Sequence, residues 1–171
     1  GNRVCILRDG KVIQIGTPEE ILTQPADGYV AEFVQDVDQG RVIDVGKVMN
    51  QPVILDPSRT LTECVDAMGD RRGGFCCDAD GRPTALLAMT DAATALAHGT
   101  TDLASVLRSD FDTTTAEARF NDNYAAAGRG LPIAVLDETG RIVGELEPRE
   151  IMEEMGRVEQ LVDGFEREVF L

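Results

Sequence analysis

Histidine occurs once, at position 98, and basic residues are scarce: 16 Lys and Arg stand against 31 Asp and Glu, for a net charge of −15 over 171 residues. The shortage of cations argues against nucleic acid as a partner, because phosphate contacts need a cationic surface. It argues equally against docking on anionic lipid. No apolar run approaches the roughly 20 residues that span a bilayer, so direct membrane insertion is not expected, and no signal-type apolar segment opens the chain. Cysteine occurs four times (Cys5, Cys64, Cys76, Cys77), without the spacing of a secreted disulfide framework, and reads as reduced thiols of a cytosolic protein. Spacings that chelate zinc, such as Cys-x-x-Cys, are missing, and adjacent Cys76 and Cys77 would point to opposite faces of a strand. So are the G-x-S-x-G, H-E-x-x-H, G-x-G-x-x-G and G-x-x-x-x-G-K-[ST] patterns. His98 sits in Ala97-His98-Gly99, where a helix is expected to end and a cation suits its dipole. No catalytic constellation emerges.

What is present is a repeat. Hydrophobic content of 43% and 27% charged residues describe a globular chain, long enough for one domain or two small ones. Arg3–Arg8 and Lys11–Ile15 flank Asp9-Gly10, a strong hairpin signal. Thr17-Pro18-Glu19-Glu20 opens a helix with a capping box, Pro25 stops it, and a second helix follows over Tyr29–Val34. The polar stretch Asp36–Gly40 marks a boundary, so residues 1–40 form one piece. Two units follow, 45–99 and 100–155. The first has a short strand at Pro52–Leu55, a helix headed by the Thr60–Glu63 capping box, a strand at Phe75–Cys77, a turn at Asp78–Gly81, a strand over Arg82–Met89, and a helix over Asp91–His98 capped by Thr90. The second keeps this order at an offset of about 59 residues, with a helix from Thr115 to Ala127, strands at Leu131–Leu136 and Arg141–Leu146, and a closing helix from Pro148. Two β-α-β-β-α halves, each too small to bury its own sheet, are expected to pack face to face in an α+β fold. Residues 156–171 read as an acidic amphipathic tail: Ile151, Met155, Val158, Val162, Phe165 and Val169 recur at helical spacing. They suit packing on the module itself or contact with another chain. Between Asp137 and Leu171 there are eleven acids and four arginines.

Two units that each carry D-x-x-G-R, a strand, and an acid opening a helix resemble a tandem of cystathionine-β-synthase (CBS) domains, a Bateman module. The stretch from Arg3 to Leu22, ending Gly-Thr-Pro-Glu-Glu-Ile-Leu, is similar to the end of an ABC transporter ATPase domain. Its continuation through Val37 into the CBS pair resembles the ATP-binding subunits of glycine betaine, proline and choline importers. That resemblance implies a regulatory, non-catalytic module at the inner face of the membrane, gating transport in response to ionic strength or a nucleotide. It implies an ATPase domain upstream of Gly1 that holds the ATP, a transmembrane permease as partner, and a homodimer through the helices Asp91–His98 and Pro148–Val162. The rival reading is a sensor whose main task is binding an adenine nucleotide or a cyclic dinucleotide in the CBS cleft.

The family's ligand pattern, G-h-h-[ST]-x-x-D, aligns with Ala85-Leu-Leu-Ala88-Met-Thr-Asp91 and Gly144-Glu-Leu-Glu147-Pro-Arg-Glu150. Ala88 replaces the phosphate-holding hydroxyl, while Asp91 could bind ribose or serve as an acid in a helix first turn. Glu147 would set an anion where phosphate sits, and like charges about 4 Å apart repel by about 1 kcal/mol even in water. Glu150 lengthens the second acid, and Phe75 is either core or an adenine platform. Arg71-Arg72-Gly73-Gly74 is a local cationic spot, read as a solvated loop with anion binding as the alternative.

Overall fold

The structure is a computed structural model that describes residues 2–35 and 43–149. The N-terminal piece is a hairpin, β1 (Val4–Arg8) and β2 (Lys11–Gly16), followed by α1 (Pro18–Thr23) and α2 (Gly28–Val34). Asp9 and Gly10 both take positive φ (51° and 76°), as a two-residue turn matched to strand twist requires. The Thr17 hydroxyl accepts the Glu20 amide while the Glu20 carboxylate accepts the Thr17 amide, and Ile6, Ile21, Leu22, Val30 and Val34 bury against one another.

Beyond residue 43 come α3 (Val45–Val48), β3 (Ile54–Leu55), α4 (Leu61–Met68), β4 (Gly73–Cys77), β5 (Pro83–Ala88) and α5 (Met89–Ala97). Then follow β6 (Thr113–Thr115), a 3₁₀ turn at Phe120–Asn123, α6 (Tyr124–Ala127), β7 (Ile133–Leu136) and β8 (Ile142–Leu146). β3-β4-β5 and β6-β7-β8 are two three-stranded sheets of the same topology, parallel in the first pair and antiparallel in the second. The repeat extends to register. Ile54 faces Phe75 and Phe75 faces Leu86; at an offset of 59, Thr113 faces Ala134 and Ala134 faces Glu145. Even the irregularity recurs, between Cys76 and Cys77 and between Val135 and Leu136.

Each sheet has its own core, Leu55, Leu61, Cys64, Met68 and Leu87 in the first and Val45, Phe120, Ile133, Val135 and Leu146 in the second. A further cluster of Phe75, Leu86 and Ala134, with Leu136 and Ile142 packed on it, joins strands of both sheets. The halves therefore meet face to face. They also exchange backbone. Asn50, ahead of β3, exchanges two hydrogen bonds with Glu145 on β8 (2.8 and 2.9 Å), and Arg108, ahead of β6, exchanges two with Leu86 on β5 (2.8 and 2.9 Å). Each linker thus completes the sheet of the other repeat.

Two local expectations fail. No continuous helix runs from Thr115 to Ala127: Thr113–Thr115 pair with β7, as a β-branched run favours, and the helical segment is confined to Phe120–Ala127. Thr90 does not cap α5, which begins at Met89 after Ala88; the Met89 amide is satisfied instead by the Arg72 carbonyl at 2.8 Å. The boundary at Asp36–Gly40, the body of the closing helix and the amphipathic stripe of the tail lie outside the described residues.

Candidate functional site

Four of the five sequence-selected residues fall in the described part, of which Ala88 and Glu147 are linked through residues 72–73; Glu150 lies outside the described residues. Phe75 is completely buried on β4 and meets Phe111 edge-on at 5.7 Å, at the centre of the contact between the sheets. Ala88, also fully buried, ends β5 opposite Gly73. Segment 71–73 connects this end of β5 to the end of β8. Arg72 accepts from the Met89 amide through its carbonyl and donates its own amide to Glu147 Oε1 at 2.9 Å. It is held tightly: a Cβ on Gly73 would lie 2.7 Å from the Leu87 carbonyl oxygen and 3.1 Å from Pro132. Arg71-Arg72-Gly73-Gly74 is therefore partnered through its backbone and the Arg71 guanidinium, and Gly73 and Gly74 are buried in β4, while Arg72 stays exposed as a solvated residue would.

Glu147, just past the end of β8, is 2% exposed, and Glu145, two residues earlier on that strand, is 0% exposed. The Glu145 carboxylate accepts from Arg71 Nη1 at 2.8 Å and from the Val53 amide at 3.1 Å. Buried carboxylates require such donors, since an unpaired charge in this setting is prohibitive. Sequence reading singled out Glu147 but missed Glu145. The available signal was the offset, which sets Glu145 opposite buried Leu86 of the first repeat, an acid where the sister position is apolar.

Asp91, in the first turn of α5, is gripped by the Arg108 guanidinium, with Nη2 to Oδ1 at 2.9 Å and a close Nε–Oδ2 contact. The hydrogen bonds from Arg108, outweighing the upward push of burial and helped by the guanidinium's charge, hold the Asp91 carboxyl below the usual aspartate range. A lowered pKa stabilises the fold above the unfolded-state value and is lost as pH falls through the folded one. The melting temperature of wild type should thus exceed that of Asp91→Asn at neutral pH, and the gap should close as pH drops below about 3.9. A gap unchanged down to pH 3 would show that the ion pair contributes nothing. Beside Asp91, a shallow depression of about 370 Å³ is lined by Thr94, Ala95, Thr100, Ser105 and Val106. His98 closes α5, its Nδ1 2.7 Å from the Thr94 carbonyl. Cys64, Cys76 and Cys77 are all free, and burial pushes each thiol up, away from the reactive thiolate. Among the described residues no three of His, Cys, Asp and Glu gather to hold a metal ion, and no helix is long and apolar enough to cross a membrane.

No family model matches the chain. The glycine betaine transport ATP-binding protein OpuAA of Bacillus subtilis is 29% identical over 147 residues, covering 84% of this chain and 35% of that protein. The chain therefore spans about a third of the length of that relative. OpuCA of Staphylococcus aureus superposes with a TM-score of 0.53 at 17% identity, over 64% of this chain and 96% of that one. The CBS domain protein PAE2072 of Pyrobaculum aerophilum, solved with AMP, gives 0.61 at 19% identity over 71% of this chain and 99% of its own. The homologues of this chain are ATP-binding subunits of glycine betaine and choline ABC transporters, and its fold beyond the N-terminal hairpin and helices is that of a CBS-domain pair.

Proposed function

We propose that the chain is the regulatory, non-catalytic part of the ATP-binding subunit of an importer for glycine betaine, proline, choline or a related osmolyte. The observation that carries this reading is the extent of the match: similarity to the Bacillus subtilis subunit runs over 84% of the chain. ATP binding and hydrolysis would belong to the remainder of such a subunit, which would sit at the cytoplasmic face of the membrane against a permease. Two copies would associate through α5 and the helix that starts near Pro148.

The signal we favour is ionic strength. Asp91, the acid that could take a ribose, is engaged by Arg108, and Glu147 sets a buried anion at the other repeat. A net charge of −15 makes two copies repel, and the screening length falls from about 30 Å at 0.01 M salt to about 8 Å at 0.15 M. The second reading, an adenine nucleotide or cyclic dinucleotide in the cleft, is supported by the AMP complex of PAE2072. Sedimentation of the purified chain across potassium chloride concentrations should show a dimer that tightens as salt rises. Calorimetry with AMP and ATP should show weak heats that vanish in Asp91→Ala. A dimer constant indifferent to salt would remove the ionic-strength reading, and micromolar AMP binding that survives Asp91→Ala would remove the assignment of Asp91.

A further inference from the structure

Two buried ionisable side chains, one on a strand and one just past its end, are an expensive arrangement that folded chains keep only where donors are fixed in advance. Here all three donors shown for Glu145 and Glu147 come from the first repeat, while both acids come from the second. The Arg72 amide cannot swing away. Its carbonyl is tied to Met89, and the next residue, Gly73, is wedged against the Leu87 backbone and Pro132. Arg71 adds a guanidinium beside it, 2.8 Å from Glu145. A rigid amide holding one carboxylate and a neighbouring guanidinium holding the other make two adjoining anion positions of a kind that suits a small carboxylate or phosphate.

We propose that residues 71–72 of the first repeat form an anion cradle that the chain fills with its own carboxylates, Glu147 on the Arg72 amide and Glu145 on the Arg71 guanidinium, so that the two repeats are joined here by built-in anions and this side of the cleft is closed to ligands bearing phosphate or carboxylate. The tethered acid competes intramolecularly, so a free anion finds the position open only when that side chain is removed. The inference rests on the nucleotide reading only for what kind of ligand is shut out; the cradle and its occupant do not depend on it.

The test is anion rescue. Glu147→Gly and Glu147→Ser should melt below wild type, by about 5 °C or more. Acetate, formate and inorganic phosphate, added at constant ionic strength, should restore much of that loss with saturation. Wild type, its cradle filled, should show no saturable response, and neither should Glu147→Gln, which keeps the side chain in the space. Calorimetry with AMP should detect tighter binding to Glu147→Ser than to wild type. A wild type that responds to the anions as the small variants do, or two small variants that ignore them, overturns the proposal. Rescue by acetate with no AMP binding to any chain keeps the cradle and removes the nucleotide reading instead.

Discussion

Glu145→Ala should lower the melting temperature by about 6–12 °C, the equivalent of about 3 kcal/mol in a chain of this size. The substitution strips the partner from Arg71 and the acceptor from the Val53 amide, at a position with no exposed surface. Removing one member of a buried ion pair typically costs about 3–5 kcal/mol, because the survivor is left charged and dry. The low end applies here: the Arg71 side chain is 24% exposed and can reach water. Glu145→Gln, which keeps the side chain's volume and one of the two acceptor oxygens but turns an NH2 toward the other donor, should lose less than Glu145→Ala. The double change Glu145→Leu with Arg71→Leu should recover part of the loss, leaving the Val53 amide unsatisfied at about 1–3 kcal/mol. Thermal melts of the three variants decide the matter, and a Glu145→Ala protein within a degree of wild type would show that the pair does not hold the repeats.

Phe75→Ala should be more damaging still, by about 3–5 kcal/mol, since the ring is wholly buried and truncation leaves a cavity that β-sheet backbone cannot close. Its position explains the severity. Phe75 and Leu86 face each other on the first sheet where the second has Ala134 and Glu145, so a large apolar pair fits against a small residue across the pseudo-symmetric contact. Phe75→Leu, nearer in volume, should cost less than about 1.5 kcal/mol. Chemical denaturation measures both. If Phe75 is instead an adenine platform, Phe75→Leu will abolish AMP binding while leaving the denaturation midpoint almost unchanged.

Local chemistry was readable from sequence wherever it is contained in a few residues. Asp9-Gly10, the Thr17–Glu20 and Thr60–Glu63 capping boxes, and the turns at Gly81 and Gly140 each specify their own backbone, and all are found. The duplication was readable because it is a comparison of the chain with itself. What escaped depends on partners distant along the chain. Nothing near Thr113 announces that it will pair with Ala134, and nothing near Met89 announces that Arg72 will satisfy its amide. The same holds for the candidate site. Asp91 and Glu147 could be picked out by alignment of the repeats, but their partners Arg108 and Arg72, 17 and 75 residues away, could not. A loop rich in arginine reads as solvated until the carboxylates that take its hydrogen bonds are known.

The crossed linkers bear on synthesis. Asn50 finds its partner only when Glu145 has been made, 95 residues later, which at about 5–20 residues per second is a wait of about 5–19 s. Arg108 closes the sheet at Leu86 much sooner. During the interval the first repeat leaves the ribosome with Phe75 and Leu86 lacking Ala134 and Ile142, an apolar sheet face with no cover. Nascent chains stalled in that window are the ones a chaperone should hold, and a duplicated module that weaves its halves together cannot be assembled one half at a time.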